Sequence, residues 1–137
     1  MEPDEAAARR AKTVLAADDQ PENIMMLEAL IERQGFTFFG VGSGAECISL
    51  AQRISPRFIL LDVQMPEMDG FETCRRLRKI YPLIHVPVAF VTARKSAADV
   101  QAGIAAGGND FIVKPFDPER LISRVIYWTS HRAPSAA

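Results

Sequence analysis

Four residue groups that could handle phosphate, a divalent cation or both stand at the ends of short apolar runs. Val14-Leu15-Ala16-Ala17 stops at Asp18-Asp19, and Phe58-Ile59-Leu60-Leu61 stops at Asp62. Val88-Ala89-Phe90-Val91 stops at Thr92, and Phe111-Ile112-Val113 stops at Lys114. If the runs are neighbouring parallel strands, three carboxylates, a hydroxyl and an ammonium share one rim of a sheet. Two carboxylates about 4 Å apart repel by on the order of 4 kcal/mol at an effective dielectric near 20. Such a cluster therefore holds a proton or a cation. Hard oxygen ligands suit Mg²⁺, which keeps water ligands and bridges readily to phosphate. An ammonium beside it pairs with a phosphate oxygen, and a threonine hydroxyl donates to another.

Taken singly, each residue has an ordinary reading. Asp19, before Gln20-Pro21, is a candidate helix N-cap, and Asp62 is a candidate loop acid. Thr92 and Lys114 could be a strand-end hydroxyl and a solvated lysine. Joint occurrence at one rim favours chemistry.

The elements that must position these groups can be read from the same runs. Continuous apolar stretches of this length suit strands buried on both faces of a parallel sheet. Ligands bind at the carboxyl ends of such strands. The pattern predicts strands at about 12–18, 36–42, 57–62, 86–91 and 110–113. Helices are expected at about 21–34, 44–54, 70–79, 96–106 and 117–130. Pro21 suits a first helical turn, and Ile24, Leu27, Leu30 and Ile31 form one apolar face at helical spacing. Gly35 and Gly107-Gly108 mark helix ends, and Asp69 is the expected N-cap of the helix at 70. The second run, ending near Val41, lacks a polar terminator and suits a sheet edge. Alternating strand and helix implies right-handed crossovers, with helices on both faces. Residues 1–11 and 131–137 read as polar tails, although the Ala-rich start could be nascent helix; residues 12–130 form one domain.

Composition narrows the function classes. A chain of 137 residues fits one domain. A net charge of −1 gives no basic surplus for nucleic-acid phosphates. No apolar stretch approaches the roughly 18 residues of a membrane span. The charged start MEPDEAAARRAK lacks the apolar centre of a secretory signal. Cys47 and Cys74 lack metal-ligand spacing and read as buried, reduced thiols of a cytoplasmic protein.

With these pieces in order, the chain resembles the receiver domains of two-component response regulators over nearly all of residues 12–130. The specific matches are LAADDQPEN, ILLDVQMPEMDGFE, FVTA and DFIVKPF. The resemblance implies an α/β, flavodoxin-like, doubly wound sheet of five parallel strands in the order 2-1-3-4-5, with five helices. It implies that Asp62 takes a phosphoryl group from a histidine kinase or phosphotransfer protein. Asp18, Asp19, Asp62 and the backbone carbonyl of Gln64 would hold Mg²⁺, and Lys114 and Thr92 would contact the phosphoryl oxygens. Thr92 and Phe111 match the switch pair, while Phe111 could also be a plain core aromatic. Lys114-Pro115 matches a bond usually cis in the family. Gln64 and Arg94 match positions that tune dephosphorylation, although Arg94 and Lys95 read equally well as solvated loop charges.

The function expected is a phosphorylation switch that catalyses only its own phosphotransfer and dephosphorylation. Its downstream protein partner would meet the face carrying Asp99, Val100, Gly103, Ile104 and Phe111. Tyr127 and Trp128 could join a dimer contact or pack on their own core. No nucleic-acid or membrane partner is expected, and the protein would be a monomer or weak dimer. The starting Met and the RAPSAA ending suggest a stand-alone protein; the alternative is the receiver portion of a larger regulator. A third reading, a magnesium-dependent phosphatase with Asp62 as nucleophile, needs a second acid and a substrate cap that the sequence does not display.

Overall fold

A computed structural model describes residues 5, 8 and 11–131. Between Thr13 and Ser130, five strands alternate with five α-helices. They are β1 (Thr13–Ala17), α1 (Pro21–Arg33), β2 (Thr37–Val41), α2 (Gly44–Ile54) and β3 (Phe58–Leu61). There follow α3 (Gly70–Leu77), β4 (Val88–Thr92), α4 (Ala97–Ala105), β5 (Asp110–Val113) and α5 (Pro118–Ser130). All strand pairings are parallel, in the order β2-β1-β3-β4-β5. This is the order that the resemblance implied.

The burial pattern explains the apolar runs. Every residue of β1, β3 and β4 is buried, because each of these strands has a neighbour on both sides and helices on both faces. The edge strands β2 and β5 mix buried and exposed residues. Side chains alternate across a strand, so each central run divides between two cores. Leu15, Ala17, Ile59, Leu61 and Phe90 pack with Cys47, Ala51, Phe71, Cys74 and Leu77 of α2 and α3. Val14, Ala16, Phe58, Leu60, Ala89 and Val91 pack with Leu27 and Ile31 of α1 and Leu121 and Val125 of α5. Fully burying one such side chain is worth about 1.5–3 kcal/mol. The two cores thereby fix the strands whose ends carry the polar groups.

Several boundaries differ from expectation. The N-cap of α1 is Gln20, which makes no side-chain capping bond, so Asp19 is not the cap. Pro21 starts α1 as expected, and Gly35 follows its C-cap Gln34 with φ of 90°. Helix α3 stops at Leu77, two residues short of the reading, and a 3₁₀ turn forms at Leu83–His85. Strand β4 begins at Val88 because the amide of Val86 closes that turn onto Leu83 O, while Pro87 has no N–H. Asp69 caps α3 by accepting from Glu72 N at 2.8 Å. Lys114-Pro115 is cis, as is Tyr81-Pro82.

Of the tail expected at 1–11, Glu5, Ala8 and Ala11 are described and have helical backbone. Of the tail expected at 131–137, His131 is described, and its amide donates to Tyr127 O. The remainder of both lies outside the described residues.

Candidate functional site

The carboxyl ends of β1, β3, β4 and β5 bring the expected residues to one rim. Asp18 and Asp62 follow the last residues of β1 and β3, Thr92 ends β4, and Lys114 follows β5. Backbone bonds continue the sheet into the site: Asp62 N donates to Ala17 O at 3.0 Å, and Lys114 N donates to Thr92 O at 2.9 Å. The rim is therefore part of the rigid sheet rather than a free loop.

Asp18, Asp19 and Asp62 each offer a carboxylate oxygen, and all three lie within 4.8 Å of one another. Asp18 and Asp62 are buried, whereas Asp19 is exposed. Lys114 Nζ donates to Asp18 Oδ2 at 3.0 Å and to Asp62 Oδ2 at 3.4 Å. Gln20 N also donates to Asp18 Oδ1, and Asn23 Nδ2 to Asp18 Oδ2. Asp62 Oδ1 receives Gln64 N at 3.2 Å. Burial pushes the Asp62 carboxyl above the ordinary aspartate range; Lys114 and the Gln64 amide oppose the shift, while Asp18 adds to it. Burial and like-charge crowding thus outweigh one ammonium. Three hard oxygen donors in this space fit Mg²⁺, whose charge would complete the neutralisation.

Thr92 is fully buried, and its Oγ1 accepts from Arg94 N at 3.2 Å. In register, Phe90 on β4 faces Phe111 on β5. Their ring centroids are 5.9 Å apart. Thr92 lies two residues beyond Phe90 and so projects from the same sheet face. Phe111 is partly buried and lines a cavity of about 190 Å³ with Val100, Gly103, Ile104 and Gly108. Hydroxyl and rings therefore share one face of the sheet, and the cavity adjoins the two rings.

Two features had no role in the sequence reading, and a third, Arg94, had two. Asn23 braces Asp18, although it lies within the matched string LAADDQPEN. Gly70 lies under Asp62, where a Cβ would overlap the Asp62 carbonyl oxygen; the glycine directly after an N-cap aspartate was the available signal. Arg94 is no freely solvated charge: it pairs with Asp99 Oδ1 at 2.7 Å and stacks 6.0 Å from the Phe71 ring centroid. Asp99 stands in the first turn of α4, the helix that follows Arg94 directly. Of the pair Tyr127 and Trp128, only Trp128 is held by a side-chain hydrogen bond to its own domain among the described residues. Trp128 Nε1 donates to Asp110 Oδ2 at 2.8 Å, whereas Tyr127 is 48% exposed and stacks on His131.

Comparison with known proteins adds the relatives of this geometry. The family model for the response regulator receiver domain matches residues 14–126. The chain is 33% identical over 112 residues to the DNA-binding response regulator MtrA of Mycolicibacterium smegmatis, covering 82% of this chain and 48% of that protein. It is 37% identical over 112 residues to the response regulator PleD of Caulobacter vibrioides, covering 82% of this chain and 25% of that protein. The chain thus spans half or less of these relatives. Among solved structures, the chemotaxis protein CheY4 of Vibrio cholerae superposes with a TM-score of 0.81 at 30% identity, over 84% of this chain and 96% of that one. The receiver domain of a Pseudomonas aeruginosa sensor histidine kinase gives a TM-score of 0.82 at 28% identity, over 88% of this chain and 98% of that one. That structure holds a magnesium ion in its active-site cleft. No helix among the described residues is long and apolar enough to cross a membrane.

Proposed function

The chain belongs to the response regulator receiver domain family of two-component systems, and on that footing we propose that Asp62 is its phosphoacceptor. In this reading a carboxylate oxygen of Asp62 forms a bond to phosphorus as the P–N bond of a donor phosphohistidine breaks, and the imidazole takes the bonding pair. Hydrolysis reverses the switch, with water attacking phosphorus and the carboxylate leaving. A carboxylate nucleophile of this kind is well suited to phosphoryl transfer.

The observation that carries the proposal is the convergence of Asp18, Asp19 and Asp62 within 4.8 Å, with Lys114 bonded to two of them. Asp18, Asp19, Asp62 and the carbonyl of Gln64 would hold Mg²⁺. Bound there, the ion offsets charge on the transferring phosphoryl group, where positioning and electrostatics supply most of the catalysis. Lys114 supplies a further positive charge, and Asn23 and the Gln20 amide keep Asp18 oriented. The hydroxyl of Thr92 turns to a phosphoryl oxygen, and Phe111 moves into the space released. The modification thus biases a two-state element.

The donor partner is a histidine kinase or phosphotransfer protein, and the downstream partner is a protein that meets the face of α4, β5 and α5. We place the module at residues 12–130, working in the cytoplasm. Incubation with Mg²⁺ and acetyl phosphate tests the assignment by peptide mapping. Wild type should carry the phosphoryl group on Asp62 and Asp62→Asn should stay unmodified; stoichiometric label on another residue would refute it.

A further inference from the structure

Helix α4 is tied down at its two ends by arginines in unlike surroundings. Gly103 is the single buried residue within it, and Ile104 is 68% exposed. Little apolar packing therefore fixes its position, and its end contacts matter more than those of the other helices.

At the carboxyl end, Arg78 reaches across from the end of α3. Its Nη1 donates to Leu83 O at 3.1 Å and to Val86 O at 2.6 Å. Its Nε donates to Gly107 O at 3.0 Å and its Nη2 to Asn109 Oδ1 at 2.9 Å. Asn109 Oδ1 also accepts Val88 N at 2.9 Å, which joins the cluster to β4. Gly107 has φ of 100°, and a Cβ there would press on Arg78 Cγ. Two part-buried, charge-assisted bonds anchor Arg78 to the 3₁₀ turn and two more tie it to Gly107 and Asn109, which makes this end a fixed point.

The amino end is held by a thinner chain. The Asp99 carboxylate accepts from Ser96 N at 3.2 Å and from Ser96 Oγ at 2.7 Å, while Asp99 N donates back to Ser96 Oγ at 3.1 Å. The same carboxylate pairs with Arg94 Nη2 at 2.7 Å, the arginine side chain being 44% exposed. Arg94 N in turn donates to Thr92 Oγ1. One continuous set of contacts thus runs from the Thr92 hydroxyl through Arg94 to the first turn of α4.

We propose that Arg94 is a positioning residue, a latch that holds the amino end of α4 through Asp99 and is released when the Thr92 hydroxyl turns to a phosphoryl oxygen on Asp62. Helix α4 then moves about the Arg78 end. The inference rests on the reading of Asp62 and Thr92 given above. It assigns the moving end from the contrast between an ion pair to a 44% exposed arginine and the part-buried bonds of Arg78, two of which reach Gly107 and Asn109 past the end of α4.

Hydrogen exchange on the full chain tests this, with and without Mg²⁺ and beryllium fluoride, alongside fluorine NMR for fluoride bound at Asp62. In wild type, fluoride should speed exchange at the Asp99 and Val100 amides about two- to fivefold, the range an exposed ion pair can supply. The Gly107 and Gly108 amides should stay unchanged. Asp99→Asn and Arg94→Ala should show the faster amino-end exchange without fluoride and little further response to it, while still binding fluoride. A purely structural role would leave the wild-type response to fluoride in place. Variants that exchange like wild type overturn the latch, as does wild-type fluoride binding with α4 exchange unmoved. Absence of a bound-fluoride signal in wild type instead overturns the Asp62 reading, and the release step with it.

Discussion

The Lys114 ammonium stands nearer to Asp18 than to Asp62, at 3.0 Å against 3.4 Å. The residue assigned to the phosphoryl group is therefore engaged first with a carboxylate assigned to the metal. An ammonium among three carboxylates competes electrostatically with a divalent ion for the same charge. Removing it leaves a more negative site for Mg²⁺ but a poorer one for the incoming phosphoryl group.

Lys114→Ala should consequently tighten Mg²⁺ binding by about fivefold, the scale of a partly exposed ion pair. The same change should slow acetyl phosphate labelling by about a hundredfold, as expected when one electrostatic stabiliser is lost. Metal titration and labelling rate measured on one preparation check both. A fall in both quantities together would show that Lys114 instead serves to organise the metal ligands.

The metal assignment separates two exposed acids that lie close to the site. Asp19 offers an oxygen to the three-carboxylate cluster; Glu67 lies in the loop between β3 and α3, with φ of 69°. Asp19→Asn should weaken Mg²⁺ binding roughly tenfold or more, a loss at least as large as that of a supporting residue. Glu67→Gln should stay close to wild type. Equal losses in a metal titration would contradict the ligand set.

The buried thiols set a pH dependence unrelated to phosphate. Burial, with a smaller contribution from neighbouring Cys74, pushes the Cys47 thiol up to about 12 from 9.0. The folded protein retains this proton after the unfolded chain has shed it. The stabilisation is therefore complete below pH 9.0 and is lost as pH rises towards 12. Cys47→Ala removes the linkage and adds a small cavity. Its stability deficit in urea should narrow by about 1 kcal/mol between pH 7 and pH 10. A deficit independent of pH would place the thiol in contact with solvent, and native Cys47 would then react with a thiol reagent.

The sheet and most of the site were legible because they depend on local patterns. Runs such as Phe58-Ile59-Leu60-Leu61 report burial on both faces, and their end points locate Asp62 without any knowledge of its neighbours. Caps that use local chemistry, such as Asp69 on α3, were equally visible. Contacts between distant residues were not. Nothing near Arg78 in the sequence says that its guanidinium will meet Gly107 and Asn109. The 3₁₀ turn at Leu83–His85 escaped for a related reason: Pro82 and Pro87 flank it, and a proline restricts its own φ without specifying the geometry of the turn between. Asp19 misled because an acid before Gln-Pro suits a helix cap and a metal ligand alike, and the backbone gave the cap position to Gln20.

The turn from Asp69 to Gly70 allows helix stability and site geometry to be separated. Asp69 supplies a cap by accepting from Glu72 N. Gly70 supplies a close approach: its amide donates to Val63 O at 2.9 Å, and a Cβ would strike the Asp62 carbonyl oxygen. A methyl at position 70 must displace backbone at Asp62 and Val63, since no flexible side chain is there to yield. Asp69→Ala should cost about 1 kcal/mol through the lost cap and leave the labelling of Asp62 by acetyl phosphate near wild type. Gly70→Ala should cost about 1–3 kcal/mol through overpacking and should also slow labelling, because the strand end carrying Asp62 shifts. Urea unfolding and labelling rates on both variants separate the effects. Were Gly70→Ala to lose stability while labelling at the wild-type rate, the α3 terminus would be absorbing the strain, and the contact would hold the helix without positioning the carboxylate.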